Sequence, residues 1–147
     1  MKKKLSIKHG LILLAAFGLV GCSQNQSSTP STPSINNDIK RAGTQYLKTE
    51  YDNAGGNVNT DSGSKLLERD AQSFSDAVQV QHDFNALNKV EQSFVDDVFK
   101  SKPLYDDVMN LQNMHGTDKK TVSYKKKTIK KFQDYIKKMD VKYGIRI

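Results

Sequence analysis

Apolar positions first appear as one run, Leu11 to Val20, preceded by Lys2, Lys3, Lys4 and Lys8. That run is too short for a stable bilayer span, and a basic stretch ahead of it is the pattern of a secretory signal. From Ser23 to Ser34 apolar side chains stop altogether. The residues are Ser, Thr, Gln and Asn with Pro30 and Pro33 among them, so they cannot bury surface and predict a disordered tether. Helical spacing begins at Ile35 and continues through Ile39, Ala42, Tyr46 and Leu47, with Ser34 or Asn36 as a cap and Asp38 in the first turn. A helix over about 36–52 is expected, ending at Asn53-Ala54-Gly55-Gly56.

Asn57 to Gly63 is polar and turn-rich and reads as a loop. A second helix is expected from about Ser64 to Asn85, with Leu67, Ala71, Phe74, Ala77, Val78 and Phe84 facing inward. Asn88-Lys89-Val90-Glu91 has the form of a capping box, which restarts the chain as a third helix carrying Val90, Phe94, Val95, Val98 and Phe99. Periodicity does not separate a turn at Asn85 to Asn88 from a kink in one long helix. Pro103 is expected to break the third helix, leaving a short fourth one with Leu104, Val108 and Leu111 that stops at Gly116. The final helix starts at Thr117-Asp118, and along it Val122, Lys125, Ile129, Phe132, Ile136, Met139 and Tyr143 alternate steps of three and four. Such spacing predicts a buried seam flanked by lysines. Four or five helices and no strand predict an all-α bundle over residues 35–147.

The end of the first apolar run carries a more specific pattern, Leu19-Val20-Gly21-Cys22. It resembles the lipobox of bacterial lipoproteins: an aliphatic residue, a tolerant position, a small residue and cysteine. The resemblance covers about the first 22 residues. It implies diacylglyceryl transfer to the Cys22 thiol, cleavage after Gly21, and residence at the extracytoplasmic face of the cell membrane. On that division, residues 1–21 are a signal peptide and residues 22–34 a lipidated tether. A flexible tether of that length spans roughly 20 Å, which keeps the domain near the lipid headgroups. Two long acyl chains, at about 0.8 kcal/mol per buried CH₂, hold such a domain without a second membrane signal.

Cleavage also changes the charge balance. Of 147 residues 126 remain, and four of the 23 basic side chains leave with the signal. What is left is polarised: residues 22–117 hold 8 basic and 13 acidic side chains, whereas 118–147 hold 11 and 3. An acidic body with a basic C-terminal helix points to anionic partners or to pairing between the two parts. Lys126, Lys127, Lys130, Lys131, Lys137 and Lys138 are the candidate anion-binding residues. Anionic lipid, wall polymer and an acidic protein segment all suit an anchored protein. Nucleic acid suits it less, because Arg146 is the only arginine in the segment 118–147.

Catalytic patterns are weak. With Cys22 acylated no thiol remains, only His82 and His115 survive cleavage, and no serine sits in a nucleophile-elbow context. Asp96/Asp97 and Asp106/Asp107 are neighbours that point about 100° apart on a helix, so neither pair converges on one reacting atom. Asn57, Asn59, Asp61 and Glu68 occupy calcium-loop positions, but Ser62 stands where the sharp-turn glycine belongs. A solvated inter-helix loop is the expectation there, with no metal, cofactor or catalytic residue. The leading functional expectation is a non-enzymatic interaction module that shields or occupies a protein partner at the membrane surface, by analogy with small anchored immunity and exclusion proteins. The alternative is an envelope lipoprotein that binds anionic wall polymer or lipid through its lysine-rich helix.

Overall fold

The computed structural model describes residues 34–55, 60–84 and 86–147; the signal, Cys22 and the tether to residue 33 lie outside them. Among the described residues four α-helices follow in order, α1 (Asn37–Ala54), α2 (Thr60–Phe84), α3 (Lys89–Asn110) and α4 (Lys119–Tyr143), with one 3-10 turn at Leu111–Asn113. The fold is an all-α bundle, as the periodicity predicts. α1 packs on α2, α3 and α4, while α4 rests chiefly on α3.

Two helices share one cap. The Asn36 side chain accepts from the Asp38 and Ile39 amides and starts α1, while Asn88 accepts from the Val90 and Glu91 amides and starts α3. Glu91 closes the capping box by accepting from the Asn88 amide at 2.9 Å, and its other oxygen accepts from the Asn36 amide at 2.9 Å. A single buried carboxylate therefore satisfies orphan donors at the start of both helices and holds those two ends together.

Aromatic rings fill the centre. Phe74 of α2 stacks on Tyr46 of α1 and meets Phe94 of α3 edge-on, and Phe94 in turn meets Tyr143 of α4 with ring centroids 5.0 Å apart. The close approach of α1 to this cluster requires Gly43: a Cβ there would lie 2.7 Å from Phe94 Cε1 and 3.0 Å from Phe74 Cε2. At the other end of the chain, Gly144 takes a left-handed φ of 60° to stop α4, and Ile145 turns back into the core.

Three expectations are corrected. α3 runs straight through Pro103. Pro103 is exposed, so its ring lies on the solvent side, while Val98, Ser101, Tyr105 and Val108 keep one continuous buried face. The loop expected up to Gly63 is shorter, because α2 begins at Thr60; the Gly63 carbonyl accepts from the buried Asn53 amide at 3.0 Å. Third, the seam of α4 is buried only along Phe132, Ile136, Met139 and Tyr143; Val122 and Ile129 are exposed. The ring pairs Tyr105 with Phe132 and Phe94 with Tyr143 show α4 antiparallel to α3. In that register the first turns of α4 lie beyond the end of α3, opposite the 3-10 turn and the segment after it. No side chain from Gln112 to Lys131 is buried.

Candidate functional site

The lysine-rich helix is held rigidly at both ends. Asp118 caps its start, accepting from the Lys120 and Thr121 amides at 2.9 and 3.1 Å and from the Thr121 hydroxyl at 2.5 Å. Those bonds, that of the Thr121 hydroxyl above all, hold the carboxyl below its ordinary range. Nearer the other end Asp97 of α3 clamps the helix. Its carboxylate accepts from Lys142 Nζ and the Tyr143 hydroxyl, each at 2.7 Å, and its backbone carbonyl accepts from the Tyr135 hydroxyl at 2.7 Å. Partial burial pushes the Asp97 pKa up, but hydrogen bonds from Lys142, Tyr143 and Lys100 outweigh it and the net direction is down. Burial and the Asp97 charge push the Tyr135 phenol up to about 12, so it stays neutral.

The six candidate lysines are all exposed. Pairing with the acidic body, the alternative fate the charge pattern allows, involves Lys142 and not these six. Lys130 pairs with Asp134 on its own helix at 3.0 Å, and among the described residues no carboxylate lies within ion-pair distance of Lys126, Lys127, Lys131, Lys137 or Lys138. At 100° per residue they form two rows, Lys126, Lys130 and Lys137 on the outer side and Lys127, Lys131 and Lys138 turned about 100° towards α3. They are not one patch. An open groove of about 450 Å³ gathers Lys127, Lys130, Lys131 and Lys138 with Asp134, over Leu104 of α3 and Tyr135; Lys126 and Lys137 do not line it. Periodicity places the rows, but the α3 side of the groove has no sequence signal.

Other candidates disperse. His82 lies in the last turn of α2 and His115 in the exposed segment after the 3-10 turn. Asp97 is committed to the clamp and Asp106 to Lys102, leaving Asp96 and Asp107 as exposed neighbours. Of the calcium-type stretch, Asn57 and Asn59 lie outside the described residues, and Asp61 falls in helix α2. Among the described residues no group of three or more His, Cys, Asp or Glu converges, and no helix is long and apolar enough to cross a membrane.

One titratable cluster escaped the sequence reading. Glu50 of α1 is fully buried, with the Ser101 hydroxyl 2.5 Å from Oε2, while Oε1 has no hydrogen-bond partner and Tyr46 lies alongside. The Ser101 Oγ is also 2.7 Å from the Val98 carbonyl. A hydroxyl carries one hydrogen, so both contacts are fully satisfied only when Glu50 holds a proton and donates to Ser101. Burial pushes the Glu50 pKa up to about 7, opposed by the Ser101 and Tyr46 hydroxyls. Its position was legible after all: Ile39, Gly43, Tyr46, Glu50 and Asn53 alternate steps of four and three, and so continue the buried stripe of α1. Fully enclosed, this carboxyl does not line the groove.

No protein-family model, no curated protein and no solved structure matches this chain. The functional reading therefore rests on the residues and their geometry.

Proposed function

We propose that this chain is a lipoprotein, held at the extracytoplasmic face of the cell membrane through diacylglycerol on Cys22, and that it acts there as a non-enzymatic interaction module whose binding element is α4. The lipobox supports the anchor. The observation that carries the binding role is the set of exposed lysines, five of the six candidates without a carboxylate partner, on a helix whose first turns project past the bundle. Free ammonium groups on a clamped helix need no rearrangement to meet an anion, and among the occupants open to an anchored protein they favour an anionic envelope component.

A second reading, a protein partner shielded or blocked at the surface, draws support from the exposed Val122, Ile129 and Met114 beside these lysines, the kind of apolar edge that a partner helix covers. Sedimentation of the lipidated chain with purified cell walls and with anionic vesicles, over a salt series and counted as the excess over neutral vesicles that its acyl chains enter in any case, tests the first reading. Binding that falls steeply as salt rises supports it. Binding to neither overturns it, and capture of a single protein partner that persists at high salt favours the second. Replacement Cys22→Ala is expected to release the chain from the membrane fraction; retention would remove the anchor.

A further inference from the structure

The concave side of the basic face differs from its convex side, and the difference bears on which anion fits. Lys127, Lys131 and Lys138 sit on one row, with axial steps of about 6 and about 10 Å at 1.5 Å per residue. Lys130 also reaches the groove, but it is spent on Asp134, the one carboxylate there. Three uncompensated positive charges thus run along about 17 Å of a groove whose floor is the side chain of Leu104 and the neutral ring of Tyr135.

We propose that this groove binds a linear phosphodiester polymer, with successive phosphates on Lys127, Lys131 and Lys138 and the polyol or sugar units between them against Leu104 and Tyr135. The inference rests on the proposed role of α4 in binding anions and narrows it to one site and one ligand class. A lone phosphate cannot span three ammonium groups set so far apart, whereas a chain engages them together and gains from effective concentration. A bilayer is broad and flat; it meets Lys126 and Lys137, which lie outside the groove, before it meets the groove. Lysines act as point charges on phosphate. Apolar side chains under a row of cations suit a ligand that alternates charge with carbon.

Two charge-matched variants of the lipidated chain in detergent micelles separate the groove from general basicity: Lys127→Gln/Lys131→Gln/Lys138→Gln, and Lys119→Gln/Lys126→Gln/Lys137→Gln on the outer side. Each loses three positive charges from exposed positions, and circular dichroism verifies that both remain folded. The probes are a synthetic glycerol-phosphate polymer, added to the chain in micelles, and vesicles of phosphatidylglycerol with phosphatidylcholine, to which the chain is transferred free of detergent and on which binding is counted as the excess over phosphatidylcholine alone, since the acyl chains enter either. The groove variant is expected to lose at least tenfold in polymer affinity, with the slope of log affinity against log salt smaller by about 2, while the outer variant stays within about twofold. Leu104→Glu, which keeps every lysine and puts a carboxylate in the floor, is expected to lose polymer binding as well. Equal losses in the two triple variants would mean diffuse attraction; this overturns the groove while leaving α4 as the anion-binding element. Vesicle binding that drops only in the outer variant, with no polymer binding by the parent chain, also overturns the groove and favours the bilayer. If the parent chain binds neither probe, both the groove and the anion-binding role fall.

Discussion

Replacing Glu50 by glutamine should stabilise the protein, and more so as pH rises. Glu50 is enclosed between α1 and α3, with Tyr46 on its own helix and Ser101, Lys102, Tyr105 and Asp106 on α3 as the polar groups that face or influence it. Lys102, the one cation among them, is bound to Asp106. Burial outweighs the Ser101 and Tyr46 hydroxyls and the Lys102 charge, so the folded state favours the protonated acid. The pKa rises from 4.5 to about 7, a preference worth about 3 kcal/mol. Below pH 4.5 the carboxyl is protonated whether the chain is folded or not, and it imposes no penalty. Between pH 4.5 and about 7 the unfolded chain gives up its proton while the folded one keeps it, so stability declines across that window and levels off above it. Glutamine keeps the shape, carries no charge, and its amide can donate to Ser101, which then donates to Val98. Urea unfolding of Glu50→Gln and the parent chain, followed by circular dichroism at pH 4 and pH 8, should show a difference near zero at pH 4 and about 2 to 3 kcal/mol in favour of the variant at pH 8. A variant destabilised equally at both pH values would refute the reasoning and make the hydrogen bond to Ser101, not the proton, the important feature.

Asp97 should act in the opposite pH direction. Its folded pKa lies below the ordinary 3.8, so its contribution is present above that value and lost as pH falls further, and Asp97→Asn should flatten the acid limb of stability while costing about 1–3 kcal/mol near neutrality, as read from urea midpoints. Gly43→Ala adds a methyl 2.7 Å from the buried Phe94 ring, and the clash should exceed the roughly 1 kcal/mol gain in helix propensity; a higher melting temperature would contradict the close approach of α1. Ile136→Asp should unfold the domain, whereas Val122→Asp on the projecting part of the same helix should change stability by no more than about 0.5 kcal/mol, a contrast that thermal melts by circular dichroism resolve. Changing Lys126, Lys127, Lys130 and Lys131 together to glutamine should leave the melt unaltered, since none of them bonds another element of the bundle. A large fall in melting temperature would mean that these charges hold the acidic body together.

Local rules made much of this chain readable. Short-range chemistry placed the cap at Asn88 and narrowed the first to Ser34 or Asn36 and the last to Thr117-Asp118, where Asn36 and Asp118 are the caps, because each depends on a side chain and the amides two or three residues away. The stripes of α1 to α3 and the all-α class follow from apolar spacing in the same way. So do the two lysine rows, since the angle between helix positions is independent of what packs against the helix. What periodicity cannot supply is the length and position of the surface opposite each stripe. Val122 obeys the same spacing as Phe132 and Ile136 yet is exposed, because α3 ends where the first turns of α4 begin. Pro103 looked like a helix end by its backbone chemistry, but its place on the solvent face let the buried side of α3 continue on either side of it. Glu50 carries a charge that argues for the surface, and only the meeting of α1 with Ser101 encloses it and favours its proton. The groove is the same kind of fact: four of its lysines share a helix, but Leu104 comes from another, and that pairing exists only once α3 and α4 have docked.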